Sequence, residues 1–121
     1  MKRVLIIEDN EENMYLTRFI LEKNGYSVIE EWTGLSGIER AIQEKPDLIL
    51  MDIQLPDING LEATRRIRSS VLGDSVPIVA ITSYAMTGDK DKTLEAGCNG
   101  YIEKPINPET FMRELTKYCS S

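Results

Sequence analysis

Five side chains able to do phosphorus or metal chemistry stand just past apolar runs in this chain. Glu8 and Asp9 follow Val4-Leu5-Ile6-Ile7, and Asp52 follows Leu48-Ile49-Leu50-Met51. Thr82 follows Ile78-Val79-Ala80-Ile81, and Lys104 follows Tyr101-Ile102-Glu103. Carboxylates held together repel: at 4 Å a pair costs about 4 kcal/mol at an effective dielectric near 20. A cluster of them needs a cation or a raised pKa to persist. The chain has no histidine, which removes the commonest general base and the commonest transition-metal ligand together. Oxygen donors without imidazole or thiolate favour Mg²⁺ or Ca²⁺ over zinc. The EF-hand spacing is absent, and few protein ligands with room for waters argue for Mg²⁺.

Asp52 suggests the reaction. A carboxylate can attack phosphorus and form an aspartyl phosphate. That step needs a metal over the transferring oxygens and donors for the charge that develops. Lys104 supplies a point charge and Thr82 a hydroxyl. No Gly-x-x-x-x-Gly-Lys-Ser/Thr loop occurs, so the phosphoryl group must come from a partner protein or a small donor.

The elements that must gather these residues alternate strand and helix five times. Continuous apolar runs of this length read as strands buried on both faces of a parallel sheet. Helix one is expected from an Asn10 cap through Met14, Leu16, Phe19, Ile20 and Leu21, with Gly25 after it. The second strand, Ser27 to Glu31, is the least apolar and so the natural edge. Thr33 or Gly34 opens helix two, with Leu35, Ile38 and Ile42 as its stripe and Pro46 beyond its end. Gln54-Leu55-Pro56-Asp57-Ile58-Asn59-Gly60 is a loop of turn formers, and helix three carries Leu61, Ala63, Ile67 and Val71. Helix four, Thr87 to Ala96, has only Leu94 and Ala96 as anchors and should be the loosest part. Asn107-Pro108-Glu109 caps helix five, with Phe111, Leu115 and Tyr118 on one stripe. The fold class is therefore α/β, a doubly wound five-stranded parallel sheet in order 2-1-3-4-5. Its switch point lies between strands one and three, where Glu8-Asp9 and Asp52 flank the crevice.

At 121 residues the chain is expected to be one domain, 1–121, without an output domain. The net charge of −6 argues against binding nucleic acid, and apolar runs of four or five residues are far too short to span a membrane. A soluble cytoplasmic protein is expected, monomeric or weakly dimeric. Cys98 and Cys119 fit neither a disulfide framework nor a metal spacing and read as small buried thiols. Arg65, Arg66 and Arg68 read as a solvated basic face beside Glu62.

Four stretches together resemble the receiver domain of response regulators, the CheY-like superfamily, over essentially the whole chain. They are Glu8-Asp9-Asn10, Leu50 to Gly60, Ala80-Ile81-Thr82-Ser83 and Gly100-Tyr101-Ile102-Glu103-Lys104-Pro105. Within that superfamily the chain is most similar to stand-alone, DivK-like cell-division regulators. The resemblance implies that Asp52 accepts a phosphoryl group from a phosphohistidine of a histidine kinase or histidine phosphotransfer protein. Mg²⁺ would be held by Asp9, Asp52 and the Gln54 carbonyl, with Glu8 nearby through water; Glu8 is longer by one methylene than the family's usual aspartate. Thr82 and Lys104 would grip the phosphoryl oxygens. Tyr101 would be a switch turning inward on activation, altering the face of helix four, strand five and helix five for a downstream effector. For Tyr101 the plainer reading, an aromatic on an edge strand, stays open. The Lys104–Pro105 bond would be cis, Gln54 and Tyr84 would control water access, and Met14 and Tyr15 would face the kinase. Such a domain is no conventional enzyme; it catalyses its own phosphorylation and dephosphorylation.

Two other classes compete. A phosphorylation-independent interaction module of the same fold would have no use for the intact acidic set. A flavodoxin-like FMN protein would need small hydroxyl and glycine residues in the first loop, where Glu8-Asp9-Asn10-Glu11-Glu12 would repel phosphate.

Overall fold

A computed structural model describes residues 2–83 and 87–118, and the side chains of all of these except 87–90. The elements in chain order are β1 (Arg3–Ile7), α1 (Glu11–Lys23), β2 (Ser27–Glu31), α2 (Gly34–Glu44), β3 (Leu48–Asp52), α3 (Gly60–Arg68), β4 (Ile78–Thr82), α4 (Thr87–Ala96), β5 (Gly100–Glu103) and α5 (Phe111–Leu115). The strands form one parallel sheet in the expected order β2-β1-β3-β4-β5. Val4 pairs with Leu48, Asp52 with Ile81 and Thr82 with Glu103, so the strands end nearly level.

Side chains alternate across each strand, so the continuous apolar runs feed two cores. Val4, Ile6, Leu48, Leu50, Val79, Ile81 and Ile102 meet Met14, Ile20 and Leu21 of α1 and Phe111 and Leu115 of α5. Leu5, Ile7, Ile49, Met51, Ile78 and Ala80 meet Ala41 of α2 and Ala63 and Ile67 of α3. Every residue of β3 and β4 is buried, which explains why these strands show no apolar–polar alternation.

Caps set most helix starts. Asn10 Oδ1 accepts from Asn13 N (2.9 Å), Thr33 Oγ1 from Ser36 N (3.2 Å) and Asn59 Oδ1 from Leu61 N (2.7 Å). Gly25 takes the left-handed conformation past α1 at φ 88°. The start of α5 differs from expectation: Asn107 caps a turn, accepting from Glu109 N, and the regular helix begins only at Phe111.

Several apolar residues expected inside lie outside. Phe19, Leu35, Val71 and Leu94 are all exposed, with Val71 at 83%. The buried face of α2 is instead Gly34, Gly37 and Ala41, with Ile38 and Ile42 half-buried beside it. Small residues there let the helix sit close: a Cβ on Gly37 would stand 2.7 Å from Ile7 Cγ1. Leu72 and Val76 take the place expected for Val71. Cys98 is buried as expected, near the Thr64 hydroxyl (3.7 Å). Cys119 and Tyr84 lie outside the described residues.

Arg68 is not part of a solvated face. Arg65 and Arg66 are exposed and pair with Glu62, but Arg68 turns inward and donates to three carbonyls, those of Gly97 (2.9 Å), Gly73 (3.1 Å) and Val76 (2.5 Å). It also donates to Asn99 Oδ1 (2.9 Å), which accepts from Ile78 N as well. One guanidinium thus ties the end of α3, the loop before β4 and the turn after α4. Gly97 adopts φ 114°, and a Cβ there would press on Arg68 Cγ at 2.8 Å.

Candidate functional site

The carboxyl ends of β1, β3, β4 and β5 bring together the residues that the sequence places after its apolar runs. Asp52 and Thr82 are the last residues of β3 and β4, buried at 3% and 5% exposure. Glu8 continues β1, its N–H donating to the Glu31 carbonyl (3.0 Å), and is buried at 3%. Asp9 is exposed to solvent. Lys104 follows β5 and is fixed through its N–H to the Thr82 carbonyl (2.7 Å), just before a cis Lys104–Pro105 bond.

The Lys104 ammonium stands between two buried carboxylates, 3.0 Å from Glu8 Oε1 and 3.4 Å from Asp52 Oδ2. Asp52 Oδ1 accepts from Gln54 N (3.1 Å), and Glu8 Oε2 accepts from Asn10 N (3.2 Å). Burial pushes the Asp52 carboxyl up to about 6, helped by the neighbouring Glu8 carboxylate, against the downward pull of Lys104 and the Gln54 N–H. Two buried carboxyls and one ammonium leave the cluster short of positive charge.

Glu8, Asp9 and Asp52 each offer an oxygen, and these oxygens lie within 4.8 Å of one another. An oxygen-only set with one exposed member fits a hard divalent cation that keeps part of its water shell. Thr82 adds a hydroxyl at the same edge. Tyr101 lies opposite Ala80 on β5, half-buried against the core shared by α2 and α3. Gln54 is exposed, its side chain adding nothing to the cluster, while its backbone joins Asp52.

Two positions that the sequence offers only as turn formers shape the edge. A Cβ at Gly60 would collide with the Asp52 carbonyl oxygen and stand 2.8 Å from Ile53 Cα. Only glycine therefore lets α3 begin this close to the end of β3, where Gly60 N donates to the Ile53 carbonyl (2.8 Å). Asp57 reaches across to α2, its two oxygens accepting from Gly34 N and Leu35 N, both at 2.8 Å. Burial pushes the Asp57 carboxyl up, but the N–H groups of Leu35 and Gly34 outweigh this and hold it below the usual range.

A separate hollow of about 420 Å³ lies along α1 and β2, lined by Tyr15, Arg18, Phe19, Glu30 and Trp32 over Met14. It shares no lining residue with the carboxylate cluster. Tyr15 is 70% exposed, whereas Met14, expected beside it on a docking face, is turned into the core at 1%.

Comparison with known proteins agrees with this architecture. The model of the response regulator receiver domain matches residues 4–116. The polar-differentiation response regulator DivK of Brucella anthropi is 42% identical over 117 residues, 97% of this chain and 95% of that protein. Among solved structures, the receiver domain of the sensor histidine kinase PA1611 of Pseudomonas aeruginosa is 36% identical with a TM-score of 0.88, covering 97% of this chain and 96% of that one. That structure carries a magnesium ion coordinated in its active-site cleft. Chemotaxis protein CheY4 of Vibrio cholerae superposes with a TM-score of 0.92 at 25% identity, over 98% of both chains. With the motif stretches, the sheet order and a family match spanning nearly its full length in agreement, this chain belongs to the response regulator receiver domain family.

Proposed function

We propose that this receiver takes a phosphoryl group onto Asp52 from a phosphohistidine of a histidine kinase or phosphotransfer protein. One observation carries the reading: the Lys104 ammonium lies between Asp52 and Glu8 at the carboxyl edge of the sheet, in a cluster that lacks positive charge. Asp9, Asp52 and the Gln54 carbonyl would hold Mg²⁺, with Glu8 in support; when bound, the ion neutralises the transferring phosphoryl oxygens. The magnesium ion in the related receiver of PA1611 supports that choice.

In the reaction an Asp52 oxygen attacks phosphorus as the bond from phosphorus to the donor's imidazole nitrogen breaks, and the imidazole leaves with that electron pair. Asp52 can do this once ionised, which its raised pKa permits at neutral pH. Lys104 holds one phosphoryl oxygen, and Thr82 donates its hydroxyl to another. Turning Thr82 toward the phosphoryl group draws Tyr101 inward and changes the face of α4, β5 and α5 read by an effector. Tyr15, exposed on α1 beside the acidic loop, faces the donor protein.

Intact mass after incubation with acetyl phosphate tests the chemistry. The expected result is a single phosphoryl adduct that needs Mg²⁺, disappears with chelator and is absent from Asp52→Asn. An adduct that persists in Asp52→Asn overturns the assignment.

A further inference from the structure

We infer that Asp57 is a positioning residue for the Asp52 site, pinning the loop that carries Gln54 to the first turn of α2. This inference rests on the receiver reading, because it concerns how that site holds its metal.

The loop from Ile53 to Asn59 is closed at its base by Gly60 N on the Ile53 carbonyl, and Ile53 N donates to the Ile81 carbonyl (3.3 Å). Those contacts fix its two ends; between them Leu55 and Ile58 rest half-buried on the core beneath, and Asp57 makes the polar fastening. There both carboxylate oxygens are spent on α2, one on Gly34 N and one on Leu35 N, across 23 and 22 residues of sequence. The neighbouring Ile58 lies against the same turn, where a Cβ on Gly34 would meet Ile58 Cγ1 at 2.6 Å.

The first N–H groups of a helix lack intrahelical partners. Thr33, the residue just before α2, serves Ser36 N, so α2 already has a local cap. Asp57 serves the two preceding N–H groups from a different element. The second fastening therefore gives more to the loop than the helix requires. Gln54 stands between the base and this pin, its N–H on the carboxylate of Asp52 and its carbonyl in the proposed ligand set. A loop also pinned to α2 presents that carbonyl in one place; a loop held only at its base and by the non-directional packing of Leu55 and Ile58 samples more, and metal affinity falls. Partners that orient metal ligands from behind are worth 10- to 100-fold in affinity, so about tenfold is expected here.

The test measures Mg²⁺ affinity by titration calorimetry, the rate of adduct formation from acetyl phosphate at saturating Mg²⁺, and the midpoint of thermal unfolding. Wild type is compared with Asp57→Ala, Asp57→Asn and Thr33→Ala. Thr33→Ala removes the local cap of α2 and leaves the loop alone, so it reports helix stability by itself.

The expected result is Mg²⁺ binding about tenfold weaker in Asp57→Ala, intermediate in Asp57→Asn and unchanged in Thr33→Ala, even where the unfolding midpoints fall alike. Unchanged Mg²⁺ affinity in a folded Asp57→Ala overturns the inference, as does an equal loss in Thr33→Ala. If Asp57→Ala does not fold, Asp57→Asn against Thr33→Ala decides by the same criterion. A wild type that forms a Mg²⁺-dependent adduct while Asp57→Ala matches it leaves the receiver reading standing and removes only the pin. A wild type that binds no Mg²⁺ and takes no phosphoryl group overturns both.

Discussion

Asp52 is a group whose protonated form the fold favours. Its carboxyl titrates at about 6 when folded against 3.8 for the free side chain. The raised value gives stability that is fully present below pH 3.8 and is lost as pH rises through 6. Ionising it in the metal-free protein therefore costs on the order of 3 kcal/mol by neutral pH. Asp52→Asn should accordingly raise the unfolding midpoint at pH 7.5 without Mg²⁺, and the gap to wild type should close near pH 4. Urea unfolding of both proteins at the two pH values checks this; a variant less stable than wild type at pH 7.5 would contradict the electrostatic account. The place of Asp52 was legible in the sequence, because the residue that ends a fully apolar run emerges at the carboxyl edge of the sheet. What was not legible is which carboxylate Lys104 favours: its ammonium lies nearer to Glu8 (3.0 Å) than to Asp52 (3.4 Å).

Elements differ in how they are tied, as α3 and α4 illustrate. The end of α3 is held by Arg68, whose guanidinium serves three carbonyls and the Asn99 side chain. Truncating it leaves those acceptors without their donor, so Arg68→Ala should lower stability by about 2–4 kcal/mol. Arg65→Ala, removing only an exposed pair with Glu62, should change it by less than about 1 kcal/mol. Denaturant midpoints distinguish the two, and equal effects would return Arg68 to the solvated face expected from the sequence. In α4, Thr93 and Ala96 are buried while Asp91, Lys92, Leu94 and Glu95 are exposed. Amides of residues 91–96 should therefore exchange with deuterium at least tenfold faster than those of the buried strands β3 and β4. Protection equal to that of the strands would remove the idea of a loosely held helix. Of the two anchors expected in α4, Ala96 is buried but Leu94 is exposed; the burial of Thr93 was not readable, since threonine serves either face.

At the scale of the whole molecule, a domain of net charge −6 concentrates three carboxylates at one sheet edge and carries a compensating lysine there. A cation that binds this edge only in the folded chain stabilises it by mass action, by about 2.7 kcal/mol at a hundred times its dissociation constant. Mg²⁺ should raise the thermal midpoint of wild type and do so far less for Asp52→Asn. An equal rise in both would mean general screening rather than a site. No helix among the described residues is long and apolar enough to cross a membrane, in line with the short apolar runs.

By itself the sequence indicated the architecture and which residues meet at the carboxyl edge of the sheet. Buried parallel strands must be apolar on both faces, and the residue after each such run must emerge at the same sheet edge. Spacing therefore marked the residues that meet there, while the less apolar β2 marked the edge strand and with it the order. Tertiary structure alone decided which side of each helix is inside and which distant groups meet. Leu35 lies outside because small residues such as Gly37 and Ala41 let α2 approach the sheet, Val71 because Leu72 takes the place expected for it, and Phe19 because Met14, Thr17, Ile20 and Leu21 make the buried face of α1. Asp57 caps α2 and Arg68 clasps the turn after α4, although local pattern marks one as a turn former and the other as a surface charge. Those partnerships join residues more than twenty positions apart. Local propensity carries no information about them; they form only once the packed sheet has brought the loops at its edges within hydrogen-bonding reach.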